Sequence, residues 1–153
     1  MRTPRTGVLV LLITLAFSLA TAAEKLEGLA AVEAEQKLEK RAQMALAHAR
    51  RTVGAVTKAY LNGSPDEGER LLGEIEGAIE MAKEALDATG KNPSRNPKHF
   101  KNLEIGTRSL VRELGEVEQQ LSYNERERLN AVRERIAEIN HDLLLGIMTK
   151  KRK

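Results

Sequence analysis

The chain has 153 residues, a formal net charge of +3, no cysteine, no tryptophan, two tyrosines and two phenylalanines. The missing cysteines exclude covalent haem, a lipid-anchored lipoprotein and disulfide bracing, so packing alone must hold the fold. The scarcity of rings argues against a carbohydrate groove or a base-stacking nucleic-acid site, since both use aromatic side chains as platforms.

The N-terminus reads as a secretory signal peptide over 1–22. Arg2 and Arg5 form a positive start, Gly7 to Leu19 is uncharged and mostly apolar, and Ala20-Thr21-Ala22 is a small-x-small cleavage site. The apolar stretch is shorter than the roughly twenty residues a spanning helix needs, which favours cleavage over a retained anchor. The expectation is an exported domain, periplasmic or extracellular, beginning near Ala23. An uncleaved segment would instead leave the same domain N-terminally anchored outside the cytoplasm.

Abundant Ala, Leu, Glu, Lys and Arg favours helix, and no stretch reads as strand. Punctuation predicts four helices. The first covers about 24–62 and stops at Asn62-Gly63, residues suited to a left-handed helix end. The second covers 65–89, opening on Ser64-Pro65-Asp66-Glu67, a capping box with Pro at the first helical position, and ending at Gly90. A loop through Pro93 leads to Asn96 as cap and Pro97 as the start of the third, 97–121. Ser122 with Glu125 forms a second capping box, and the fourth helix covers 123–148.

Apolar spacing predicts how these helices meet. In the third, Phe100, Leu103, Thr107, Leu110, Leu114, Val117 and Leu121 step alternately by three and four residues, placing them on one seam. The fourth repeats this with Leu129, Val132, Ile136, Ile139 and Leu143. The near-absent connection makes the two antiparallel, so a coiled-coil-like hairpin is expected. The second offers Leu72, Ile75, Ile79, Ala82 and Leu86, and the first Ala42, Ala45, Ala49, Val53, Val56 and Tyr60. Four such faces joined by short loops predict an all-α, antiparallel up-down four-helix bundle. A first helix of this span would extend about 58 Å against roughly 38 Å for the others. Its overhang over 24–37 reads either as a frayed spacer or as a self-association surface.

Charge is unevenly placed. Taking Arg2, Arg5 and the four residues of the tail Lys150-Lys151-Arg152-Lys153 from the net +3 leaves −3 for 23–149. In an up-down arrangement Lys91, Arg95, Lys98 and Lys101 share an end with that tail, and Asp66, Glu67 and Glu69 occupy the other. These eight basic residues are the candidate contact with an anionic surface. Basic tails also serve simply to complement a helix C-terminus and to aid solubility.

Constellations for chemistry fail on helical phase. Glu138-Ile139-Asn140-His141 has the E-x-x-H spacing of di-iron bundles, which need two such motifs and two further carboxylates. His141 lies about 200° from Ile139 and from Leu143, so it faces away from the seam. That also removes it as an axial haem ligand opposite Met44 or His48, and His99 reads as an ordinary surface histidine. Ala85-Leu86-Asp87 followed by Gly90-Lys91-Asn92-Pro93 resembles the close of a tetratricopeptide helix, but the upstream Trp, Leu-Gly and Tyr positions are missing and no period of about 34 residues follows. No cofactor, metal, catalytic group or nucleic-acid partner is expected. The expectation is a non-catalytic binding or structural module of the cell envelope, facing an anionic surface or acidic protein partner. The alternatives are a scaffold self-associating through its first helix and, more remotely, a metal or haem protein.

Overall fold

The computed structural model describes residues 28–149. The segment read as a signal peptide and the tail Lys150 to Lys153 lie outside the described residues. The described part is all-helical, without strands, and has five helices where four were expected. They are α1 (28–34), α2 (Leu38–Leu61), α3 (Pro65–Ala88), α4 (Pro97–Glu118) and α5 (Arg126–Met148), with a 3-10 turn at Tyr123–Glu125 leading into α5. Among the described residues no helix is long and apolar enough to cross a membrane.

The extra helix corrects the single long first helix. Residues 35–37 are not helical, and the chain divides into two units at this point, one ending at Ala34 and the other starting at Glu35. Glu35 is the cause. Its Oε1 accepts a hydrogen bond from the Lys37 N–H at 3.1 Å, its Oε2 pairs with the Lys40 ammonium, and its carbonyl accepts from Arg41 Nε at 2.8 Å. Side chains thus occupy backbone groups that a continuous helix would have paired with each other. The Lys40 and Lys37 contacts hold the Glu35 carboxyl below its ordinary range. With α2 starting at Leu38, no continuous helix spans 24–62.

The other boundaries follow the local chemistry more closely. Gly63 has φ 71°, with Ser64 N–H bonded to the Ala59 carbonyl and Gly63 N–H to that of Tyr60. This is the double closure of a Schellman helix end, which requires a residue at ease in the left-handed region. Gly90 has φ 66° just past the end of α3. The capping box at Ser122 and Glu125 forms, with both reciprocal bonds present. The one expected at Ser64 does not: Ser64 makes no side-chain cap bond, and the Glu67 carboxylate is held instead by both arms of Arg70. Helix α4 ends at Glu118 rather than 121, although Leu121 is still buried.

Within the unit starting at Glu35, α2 packs chiefly on α3 and α4 chiefly on α5, while α3 also lies beside α5 and α2 beside α4. The contacts give the directions. Tyr60 meets Gly68, making α2 and α3 antiparallel; Arg133 pairs with Glu118 and Asn140 reaches Glu104, making α4 and α5 antiparallel. Arg128 pairs with Glu76 and Arg135 with Glu80, so α3 and α5 run parallel. Helices α3 and α4 have only slight contact, although consecutive in the chain. Every seam residue expected of α2 to α5 is buried. Each large aliphatic side chain removed from water in this way is worth about 1.5–3 kcal/mol.

Two glycines let helices approach closely. A Cβ on Gly106 of α4 would lie 2.5 Å from a Leu46 methyl of α2, and one on Gly68 of α3 would lie 2.6 Å from the Tyr60 ring. The second neighbour is a rigid ring and cannot swing aside as a leucine can.

Candidate functional site

One end of the molecule gathers the start of α2, the loop 89–96, the start of α4 and the close of α5. Lys91 Nζ pairs with Glu39, Gln43 Nε2 contacts His99 Nδ1 at 3.2 Å, and a Cβ on Gly146 would lie 3.4 Å from Pro93. The structure therefore brings Lys91, Arg95, Lys98 and Lys101 to the end from which the tail Lys150 to Lys153 leaves. The loop is shaped by Asn92, whose Oδ1 accepts from Ser94 N–H at 2.9 Å and Ser94 Oγ at 2.7 Å, and whose carbonyl accepts from the Arg95 and Asn96 amides. An Asn placed this way mimics a backbone turn and sets the loop without a glycine at its centre.

The four cations differ. Lys91 is paired with Glu39, which holds the Glu39 carboxyl below its ordinary range. Arg95, Lys98 and Lys101 are exposed and have no carboxylate within ion-pair distance among the described residues. Between Asp87 and Glu104 the chain has no acid at all, and Asp87 is itself paired with Lys83. The first turn of α4 contains no acidic residue, and Asn96 makes no side-chain cap bond, so the positive end of that helix adds to the field. Unpaired cations also occur on the outer face of α2 at Arg50, Arg51 and Lys58, but there they are spread along a helix. A cavity of about 350 Å³ opens here between Glu39, Leu86, Lys91, Lys98 and Phe100.

From the opposite end towards the middle of the helices several charges are paired, although Asp66 and Glu69 at the α2–α3 turn are exposed without an ion pair among the described residues. Arg70 bridges Glu67 and Glu74, and Glu74 Oε1 also lies 2.7 Å from His48 Nε2. Arg128 pairs with Glu76, and Arg126 donates to the Leu121 carbonyl at 3.0 Å. Tyr60 is buried there with its hydroxyl lacking a partner. Burial, followed by the charges of Glu69 and Glu125, pushes its phenol above the ordinary tyrosine range, against a smaller opposing effect of Arg128.

The histidines are scattered. His141 is exposed while Ile139 and Leu143 are buried, the phase expected from the sequence. His48 faces inward between α2 and α3 on Glu74, a contact the sequence reading missed; its spacing from Ala45 and Thr52 carried the signal. Glu138 pairs with Arg135 instead of converging with His141. Among the described residues no three histidines and carboxylates gather as a metal site would require. No known protein family matches the chain, and no curated protein or solved structure matches it either.

Proposed function

We propose that the chain is an exported, non-catalytic helical module of the cell envelope that docks its basic end onto an anionic surface. In this reading α2 to α5 form an antiparallel up-down four-helix bundle whose α4–α5 hairpin has coiled-coil-like packing. The seam spacing and the alternating helix directions support that architecture. The observation that carries the docking proposal is the acid-free run from Ala88 to Leu103, which sets Arg95, Lys98 and Lys101 at one end without carboxylate partners. Basic side chains close to an anionic lipid surface contribute about 1 kcal/mol each, and salt screens them. Export rests on the signal-like segment 1–22 and the four-residue basic tail on Lys150 to Lys153.

Self-association through an overhanging first helix loses its main support, because the helix is interrupted at Glu35 to Lys37. Binding to phosphatidylglycerol vesicles, measured as the excess over phosphatidylcholine vesicles, tests the proposal. Replacing Arg95, Lys98 and Lys101 by Ser should weaken that excess about 100-fold at low salt, and removing Lys150 to Lys153 should weaken it further. An excess that is absent, or that survives both changes, sinks the reading.

A further inference from the structure

The outward face of α5 changes character along its length. Glu127, Glu134 and Glu138 face solvent over its first four turns; near its end solvent meets Leu144, Leu145 and Met148, which are 40%, 50% and 70% exposed. Their phase explains the exposure. At about 100° per residue they lie roughly 100°, 200° and 140° from Leu143, the last buried residue of the seam, so they cannot join the core while Leu143 does. Ile147 is half-buried, and Gly146 faces Pro93 of the loop 89–96. Leu144 and Met148, four residues apart, stand one above the other, with Leu145 beside them. The three form an apolar edge on the end of the molecule where Arg95, Lys98 and Lys101 stand, and the sequence passes from Met148 through Thr149 directly into Lys150 to Lys153.

The other exposed large apolar side chains, Leu61, Ile105 and Tyr123, lie on three different elements, whereas these three adjoin on one helix, and a contiguous exposed apolar patch marks an interaction site. The charges at this end select the partner. Arg95, Lys98 and Lys101 outnumber the exposed carboxylate of Asp142, three residues before Leu145, so a neutral apolar partner would leave cations at this end unmatched, whereas an anionic bilayer offers hydrocarbon beneath a layer of negative headgroups. This is the combination by which interfacial helices bind, an apolar edge entering the acyl boundary with Lys and Arg at headgroup level.

We propose that Leu144, Leu145 and Met148 insert into the interface of an anionic lipid bilayer, so that α5 enters the membrane with its C-terminal turn while the basic residues contact the headgroups. This rests on the docking proposal above and commits its surface to lipid. Insertion adds an affinity component that salt does not screen, in contrast to the charge contacts.

The chain has no tryptophan, so Leu145→Trp in the full chain gives a single reporter at the site. Its emission should shift to the blue on phosphatidylglycerol vesicles and be quenched by bromine-labelled acyl chains. Leu144→Ser, Leu145→Ser and Met148→Ser together should weaken the phosphatidylglycerol excess at least about tenfold and abolish the part that persists at high salt. Emission identical to that in buffer, or equal binding by the triple-Ser variant while the original chain still prefers anionic vesicles, overturns insertion and leaves charge docking standing. Absence of any anionic preference in the original chain overturns both. A dimer in sedimentation that the triple-Ser variant dissolves, with no emission shift on vesicles, assigns the apolar edge to a second copy and also overturns insertion. Since all three side chains are exposed, the variant should keep its helical circular dichroism; if it does not, the tryptophan readout still decides.

Discussion

The two ends of this molecule solve the placement of charge in opposite ways. From the α2–α3 turn to the middle of those helices, Glu67, Arg70, Glu74 and His48 form one connected set, and Tyr60 is buried near the turn. At the far end Arg95, Lys98 and Lys101 stand without carboxylate partners, and the same end exposes Leu144, Leu145 and Met148. Exposed ion pairs are worth only about 0–1 kcal/mol each, so the first end is held mainly by the packing of Tyr60 on Gly68, and unmatched cations and exposed leucines add little at the second. The contrast teaches that the cations are matched on one side and left unmatched at the other end, as a surface awaiting an anionic partner would be, although Leu61 and Tyr123 are exposed at the first end as well.

The sharpest way to break this comparison is Gly68→Ala. Alanine gains helix propensity worth about 1 kcal/mol over glycine, but its Cβ would collide with the Tyr60 ring, and overpacking of this kind costs typically 1–3 kcal/mol. The expected net result is a loss of up to about 2 kcal/mol, read as a lower midpoint in thermal unfolding. A rise in stability would show that the tyrosine end is loosely packed and the contrast false.

Tyr60→Phe is next. It removes a buried hydroxyl that has no partner, so stability at neutral pH should rise by about 1 kcal/mol. The pH dependence gives a second check. Because the folded phenol titrates above its ordinary value of about 10, the folded state holds that proton more tightly than the unfolded chain. Its contribution is fully present below pH 10 and is lost as pH rises through the folded value. The original chain should therefore lose stability in that alkaline window, and the Phe variant should lose less. Identical alkaline limbs in denaturant titrations would contradict the assignment.

The smallest effect is expected at the other end. Replacing Arg95, Lys98 or Lys101 singly by Ser should change the unfolding free energy by no more than about 0.5 kcal/mol, because none has an ion pair to lose. A larger loss in calorimetry would mean that these residues hold the fold, and the two ends would differ less than proposed.

Much of this was legible in the sequence because periodicity reports which face of a helix avoids water. The seams from Phe100 to Leu121 and from Leu129 to Leu143 are buried throughout, and Gly63 and Gly90 end helices as their chemistry requires. The interruption at Glu35 to Lys37 was not legible. These three residues are acceptable in helices, and the break depends on Glu35 engaging Lys37, Lys40 and Arg41 together. Nor does spacing reveal which helices become neighbours, so the slight contact between α3 and α4 was hidden. Of the four basic residues in the described candidate surface, Lys91 turned out to be matched by Glu39, a partner 52 residues away that no local pattern could indicate. The apolar edge on α5 could have been found: Leu144, Leu145 and Met148 stand off the seam that Leu143 closes.

The sparse contact between α3 and α4 bears on how the chain reaches this arrangement. Helices α2 and α3, and likewise α4 and α5, pair across connections of only a few residues, so each pair gains most of its contacts with little loss of loop entropy. The parallel meetings of α2 with α4 and of α3 with α5 join distant stretches and bring the two preformed pairs together. Folding should then proceed by rapid local pairing followed by docking across the loop 89–96, where Asn92 already fixes the turn. In that order of events the Asn92 turn would set the angle at which the two pairs meet, independently of anything the finished surface binds.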